Sequence, residues 1–318
     1  MIRFEQVSKQ FLNGTFAVKS LDFEIKKGEF FVLIGPSGSG KTTTLKMINR
    51  LIELSNGWVW INGKKISDYD INELRWDIGY VLQQIALFPH MSIAENIAIV
   101  PELVNWDKEK IAARVDELLK MVGLDPKEYR NRKPSELSGG QQQRVGVIRA
   151  LAADPEIILM DEPFSALDPF SREKLQDDLL EIQRKLKKTI VFVTHDMQEA
   201  LKLGDRICLM KDGEIIQIGT PHEFLTNPVN DFVREFVGSR KLSINLNELI
   251  TSIPIGKEFL SNTKTISLST PVDEVLDQLA LFEQIFVEEN GKVIGNISRQ
   301  NAMKVMSRNL RERGQINE

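Results

Sequence analysis

Apolar positions along residues 2–7 and 16–25 partly alternate with polar ones, the period of half-buried strands. Residues 29–34 (EFFVLI) break that pattern with a continuous apolar run that stops at Gly35. Such a run predicts a strand buried on both faces and feeding a loop. Similar runs at 78–82, 157–160, 190–194 and 207–210 predict further strands. Helical spacing intervenes: 107–122 aligns Ile111, Val115, Leu118 and Val122, and 171–188 aligns Leu175, Leu179, Ile182 and Leu186. Strands alternating with helices predict an α/β fold whose sheet is covered on both faces. Residues 89–150 carry helical pattern without a strong strand, and so predict an inserted helical subdomain.

After residue 238 the sustained periods lapse, and 239–264 reads as a linker or boundary region. Pattern returns at Pro271, with a helix over 272–280, a strand over 285–289, an Asn290-Gly291 turn, a strand over 292–298 and a helix over 299–306. The expected organisation is a large domain at 1–238 and a small α+β domain at 265–318. A tail of this size is at the lower edge of what folds alone, so it is expected to lean on a partner or a second copy.

Composition narrows the class. The 318 residues are 42% hydrophobic and 27% charged, with 41 Lys+Arg against 45 Asp+Glu and a net charge of -4. That balance gives no general reason to expect a nucleic-acid partner. A single cysteine, Cys208, excludes an intrachain disulfide framework, fits a reducing compartment and reads as packed. No apolar run is long enough for a membrane span and the start lacks a signal-peptide core, so a soluble, cytoplasmic protein is expected. Trp58 and Trp60 share one side of a short strand and read as packing, while His90 and His222 read as loop and helix-start residues.

The candidate chemistry begins at Gly35-Pro36-Ser37-Gly38-Ser39-Gly40-Lys41-Thr42, which fits G-x-x-x-x-G-K-[ST] between a predicted strand and helix; Thr43 follows it. Glycines let backbone N–H groups converge on phosphates, and the helix N-terminus favours their charge. Lys41 reaches the β- and γ-phosphates and the Thr42 hydroxyl can ligate Mg²⁺. Downstream, 157–160 ends in Asp161-Glu162. There Asp161 can hold Mg²⁺ opposite Thr42, and Glu162 is free to polarise a water. His195 follows a third apolar strand, at the edge where open α/β sheets bind ligands, and is expected to contact the γ-phosphate.

Leu137-Ser138-Gly139-Gly140-Gln141, between the two nucleotide motifs, matches the signature of ABC-type ATPases. The resemblance covers residues 1–238, and the motif order is also that family's. It implies a P-loop ABC-type ATPase fold with ATP and Mg²⁺ as cofactors. It further implies Gln83 as the metal- and water-contacting glutamine (Gln84 is the poorer candidate), 165–168 as the loop ending in Asp168, and Phe11 as the adenine-stacking ring. Phe in place of the usual Tyr keeps the π face. The resemblance also implies an ATP-sandwich dimer, in which Ser138, Gly139, Gly140 and Gln141 of one copy close over ATP held by the other. Ser138, Gly139 and Gly140 are expected to precede a helix over 141–151. The tail resembles one CBS motif; Asn301, after Ser298, stands where nucleotide-binding versions carry Asp.

Together these features resemble the ATP-binding subunits of bacterial quaternary-amine importers. The implied setting is the cytoplasmic face of the membrane, with an integral permease and a solute-binding protein or domain, powering uptake of a betaine-like osmoprotectant. Uptake of an amino acid or amino-acid betaine remains an alternative, and so does a soluble ABC-type ATPase unconnected to transport. The basic positions Lys304, Arg308, Arg311 and Arg313 could meet anionic lipid, or form a solvated helix face.

Overall fold

A computed structural model describes residues 1–238, 249–252, 264–268, 270, 272–289 and 292–302. The chain divides into two compact units, Met1–Val237 and Gly238–Glu318.

The first unit opens with β1 (Ile2–Gln10), β2 (Phe16–Ile25), β3 (Phe30–Ile34), α1 (Lys41–Ile48), β4 (Asn56–Ile61), β5 (Lys64–Lys65), α2 (Ile71–Trp76) and β6 (Ile78–Val81). Four helices follow without a strand, α3 (Ile93–Leu103), α4 (Lys108–Met121), α5 (Pro126–Tyr129) and α6 (Gly139–Ala150). The chain then returns through β7 (Ile157–Asp161), α7 (Pro169–Leu186), β8 (Thr189–Thr194), α8 (Met197–Leu203), β9 (Arg206–Lys211), β10 (Glu214–Gly219), α9 (Pro221–Thr226) and α10 (Asp231–Gly238).

The central sheet has the order β10-β9-β3-β8-β7-β6, parallel except for β10. Every residue of β3, β7 and β8 is buried, which explains why these strands are apolar without alternation. Phe30, Val32, Ile34, Met160 and Phe192 face one core cluster; Phe31, Leu33, Leu159 and Val193 face the other. Registers such as Ile34↔Thr194 and Asp161↔Val193 bring the carboxyl ends of three strands to one edge.

A second, antiparallel sheet, β2-β1-β4-β5, shares the core cluster of Phe31 and Leu33, which explains the half-buried pattern of β1 and β2. Here one expectation fails. Trp58 and Trp60 do not pack in the core: Trp58 is exposed, Trp60 is half-buried, and the Lys65 ammonium sits 3.6 Å from the Trp58 ring centre and 5.2 Å from that of Trp60. Alternation sends Val59 and Ile61 inward and the two indoles outward, where cation–π contacts cover them.

The helical stretch contributes Ile97, Val115, Leu118, Val145 and Ile148 to the core cluster beside the central sheet. Its last helix starts earlier than the sequence suggests. Ser138 N-caps α6 in a reciprocal capping box with Gln141, so Gly139 and Gly140 lie in the first turn and do not precede the helix. Similarly, α7 starts at Pro169 because the Asp168 carboxylate accepts from the Ser171 N–H.

The second unit holds β11 (Thr251–Ser252), β12 (Thr265–Ser267), α11 (Val272–Leu281), β13 (Gln284–Glu289) and β14 (Lys292–Ser298). Its sheet order is β11-β14-β13-β12, with β12 parallel to β13 across the α11 crossover and β13 antiparallel to β14. Leu249, Val275, Leu279, Ile285, Val287 and Ile297 are buried together. Residues 249–252, inside the stretch read as linker, belong to this unit, since β11 pairs with β14. Residues 299–302 are helical. The Asn290-Gly291 turn, the rest of the expected final helix and its basic positions lie outside the described residues.

Candidate nucleotide site

The site lies where β3, β7 and β8 end. Gly35 leaves β3 at φ 152°, and a Cβ there would come within 2.1 Å of the Met210 carbonyl oxygen. Gly40 closes the loop at φ 99°, with 2.4 Å between a notional Cβ and the Ala17 carbonyl. Both close approaches restrict these positions to glycine. Pro36, Ser37 and Gly38 form the exposed crest and Ser39 is buried beneath it. Lys41 opens α1, and its ammonium donates to the Gly35 and Pro36 carbonyls at 2.8 Å each. Burial pushes the Lys41 pKa down, while the charges of Glu162 and Asp161 oppose that shift. The ammonium is thus poised at the loop that would receive phosphate oxygens.

The two adjacent acids diverge. Asp161, the last residue of β7, accepts from Thr42 Oγ1 at 2.7 Å. The Tyr80 hydroxyl at 3.5 Å and the Lys46 ammonium at 3.7 Å also approach it. Burial and Asp161 raise the Tyr80 pKa, keeping its phenol protonated as a donor. Glu162 takes φ 46°, a left-handed conformation rare outside glycine, and its N–H donates to the Val193 carbonyl at 3.0 Å. Such a conformation costs about 1–3 kcal/mol and concentrates at functional positions. The Glu162 side chain meets different partners: its Oε2 lies 3.2 Å from His195 Nδ1 and 3.5 Å from Gln83 Nε2.

The predicted residues therefore separate into groups. Thr42 meets Asp161, His195 and Gln83 meet Glu162, and the Lys41 ammonium feels the charge of both acids. The Thr42 hydroxyl and Asp161 carboxylate are hard oxygen donors that suit Mg²⁺. Among the described residues no cluster of three His, Cys, Asp or Glu side chains could hold a metal. The Gln83 amide bonds Glu162 rather than this pair.

Ser138 and Gln141 bond each other reciprocally at 2.9 and 3.3 Å, and Gln141 Nε2 donates to the Tyr129 hydroxyl at 3.2 Å. Asp168 caps α7, and hydrogen bonds from the Ser171 hydroxyl and then its N–H hold the Asp168 carboxyl below the usual range. Phe11 lies exposed just after β1, with the Lys9 ammonium 5.4 Å from its ring centre.

Sequence reasoning missed Lys46 and Tyr80, the two side chains that approach Asp161 besides Thr42. Lys46 had a legible signal, since it stands one helical turn after Thr42. Tyr80 had none, because its approach to Asp161 depends on β6 pairing with β7.

Comparisons with known proteins agree with this fold. A family model described as ABC transporter matches residues 18–165. The glycine betaine/carnitine/choline transport ATP-binding protein OpuCA of Bacillus subtilis is 52% identical over 304 residues, covering 96% of this chain and 77% of that protein. The choline transport ATP-binding protein OpuBA of the same organism is 57% identical, covering 76% of this chain and 63% of that protein. The osmoprotectant import ATP-binding protein OsmV of Salmonella typhimurium is 46% identical, covering 95% and 80%. Among solved structures, a dimeric post-hydrolysis ATP-binding cassette bound to ADP and Pi superposes with a TM-score of 0.62 at 38% identity, covering 70% of this chain and 99% of that one.

Proposed function

The chain belongs to the ABC transporter family as an ATP-binding subunit, and from that membership we propose that it hydrolyses ATP to power uptake of a quaternary amine or betaine-like osmoprotectant. The observation that carries the solute class is the similarity to the glycine betaine/carnitine/choline transport protein, which extends over 96% of the chain and so includes the C-terminal unit.

In this reading the loop N–H groups and Lys41 hold the β- and γ-phosphates. Thr42 and Asp161 would hold Mg²⁺, which neutralises phosphate charge when bound. Glu162 accepts the proton of the attacking water, and His195 and Gln83 fix its carboxylate. Phe11 offers a ring face to adenine. One chain carries one set of motifs, so two complete sites need a second copy, with Ser138, Gly139, Gly140 and Gln141 of one closing over the nucleotide of the other and Asp168 at that interface. Among the described residues no helix is long and apolar enough to cross a membrane. The similarity to transport ATP-binding proteins supports a separate permease at whose cytoplasmic face the subunit docks, served by a solute-binding protein or domain.

The C-terminal unit, with its β-α-β crossover and hairpin partner, suits a CBS-like regulatory or dimerising module. Its Asn301 Nδ2 donates to the Leu249 carbonyl at 2.8 Å, which directs that amide into the unit's own frame.

The test is ATP turnover by the chain copurified with its permease in lipid, with glycine betaine, carnitine and choline added at low and high ionic strength. Stimulation by one amine supports the proposal. Turnover without stimulation, with a working solute receptor present, overturns the solute class and leaves the ATPase. Absence of turnover overturns both.

A further inference from the structure

The turn that presents His195 is built around a buried hydroxyl. Thr194, the last residue of β8, donates through Oγ1 to Glu199 Oε2 at 2.5 Å and accepts from the Asp196 N–H at 2.9 Å. His195 is held between those two bonds and reaches Glu162 at 3.2 Å. Glu199, on α8, is only 6% exposed. A carboxylate buried that deeply calls for a compensating cation, because it has given up most of its hydration. The cation is Arg172, whose Nε lies 3.9 Å from Glu199 Oε1. Arg172 sits in the first turn of α7, and its other arm donates through Nη2 to the Leu167 carbonyl at 3.3 Å. One guanidinium thus spans from the loop that ends at Asp168 to the helix that braces His195. Its Nε is buried without a hydrogen-bond partner, so its link to Glu199 is a charge contact with no bond to hold its distance. Glu162, Ser165, Arg172, Thr194, His195 and Glu199 line a single cleft.

We propose that Arg172 is a positioning residue for ATP turnover, acting through Glu199 and Thr194 on the orientation of His195 and coupling that turn to the loop ending at Asp168. The proposal deepens the ATPase reading and rests on it. Arg172 has no place in the phosphate loop, so its loss should reach the chemical step and spare nucleotide affinity. Without Arg172 the Glu199 carboxylate keeps its burial and loses its cation; the turn must then shift or Glu199 must take up a proton. Neutralising Glu199 at the same time removes that conflict.

The experiment compares kcat and KM for ATP in the full chain for wild type, Arg172→Met, Arg172→Lys and the pair Arg172→Met/Glu199→Gln. Melting curves and binding of a fluorescent ATP analogue verify folding. We expect Arg172→Met to lower kcat at least about tenfold with KM within about threefold, the split expected of an interaction made in the transition state. Arg172→Lys should recover most of that loss. The double variant should turn over faster than Arg172→Met alone, a non-additivity that marks direct coupling. A kcat for Arg172→Met within about twofold of wild type, or a loss confined to KM, overturns the proposal. A double variant no faster than Arg172→Met does so too. Should Arg172→Met fail to fold, Arg172→Gln, alone and paired with Glu199→Gln, is read by the same criteria. A wild-type chain that does not hydrolyse ATP counts against the ATPase reading instead.

Discussion

Replacing Glu162 with Gln removes one negative charge and preserves the shape of the side chain. The carboxylate is 21% exposed and meets His195 at 3.2 Å and Gln83 at 3.5 Å. These contacts are few and partly solvated, so their loss should cost the fold less than about 1 kcal/mol. The backbone of residue 162 is unaffected, because its N–H bond to Val193 and the bond from Ser165 Oγ to its carbonyl do not involve the side chain. Proton transfer is a different matter. A positioned general base contributes about 10²–10⁴ in rate, or roughly 2.7–5.4 kcal/mol at 1.36 kcal/mol per tenfold. The chemical effect therefore exceeds the structural one several-fold, which makes the substitution diagnostic. Phosphate release under saturating ATP should fall at least about a hundredfold. Affinity for ATP, measured calorimetrically, should stay within about threefold, because Lys41, Thr42 and the loop are untouched. Retention of more than about 10% of wild-type turnover would refute the assignment of Glu162 as base. A larger loss in His195→Ala than in Glu162→Gln would shift the role to the imidazole.

Three further outcomes follow from the geometry. Gly40→Ala forces a Cβ to 2.4 Å from the Ala17 carbonyl at φ 99°; ATP affinity should weaken at least about tenfold by titration calorimetry, and unchanged affinity would contradict the loop's role. Phe192, fully buried and in ring contact with Phe30 and Phe164, should cost about 3–5 kcal/mol as Phe192→Ala in urea unfolding. A cost below about 1 kcal/mol would contradict the close packing inferred there. Burial, the largest cause, raises the Glu199 pKa in the folded state above its ordinary value of 4.5, against the lowering effects of Thr194 and Arg172. The folded chain thus binds this proton to higher pH than the unfolded chain. The contribution of Glu199 to stability is complete below about pH 4.5 and declines as pH rises through the folded pKa. The melting temperature of Glu199→Gln relative to wild type should therefore rise as the pH climbs above about 4.5; a flat difference would refute the sign.

Some of this molecule is written in contiguous residues. The phosphate loop is legible because its chemistry is local: glycine freedom, a lysine and a hydroxyl must follow one another at the end of β3 for backbone N–H groups to converge. The buried strands β3, β7 and β8 are legible because a strand covered on both faces must be apolar throughout, and α4 because its stripe repeats at helical spacing. Helix starts were misplaced by two residues at α6 and α7, since a cap depends on a side chain folding back on its own backbone, which periodicity does not register.

Other features depended on pairings between distant segments. Trp58 and Trp60 have the composition of core residues, yet the register of β4 against β1 turns them outward, and Lys65 on the neighbouring strand covers them. The left-handed Glu162 and the divergence of the two acids arise where β7 meets the end of β8. Arg172 and Glu199 are 27 positions apart with no shared motif, and only the packing of α7 beside α8 brings their charges together. The sequence by itself determined which residues can bind phosphate, donate a proton or accept one, because those are properties of side chains in short order. Tertiary structure decided which of them face each other and which supports hold them there, because strand pairing and helix packing are long-range choices made by the burial of the whole core.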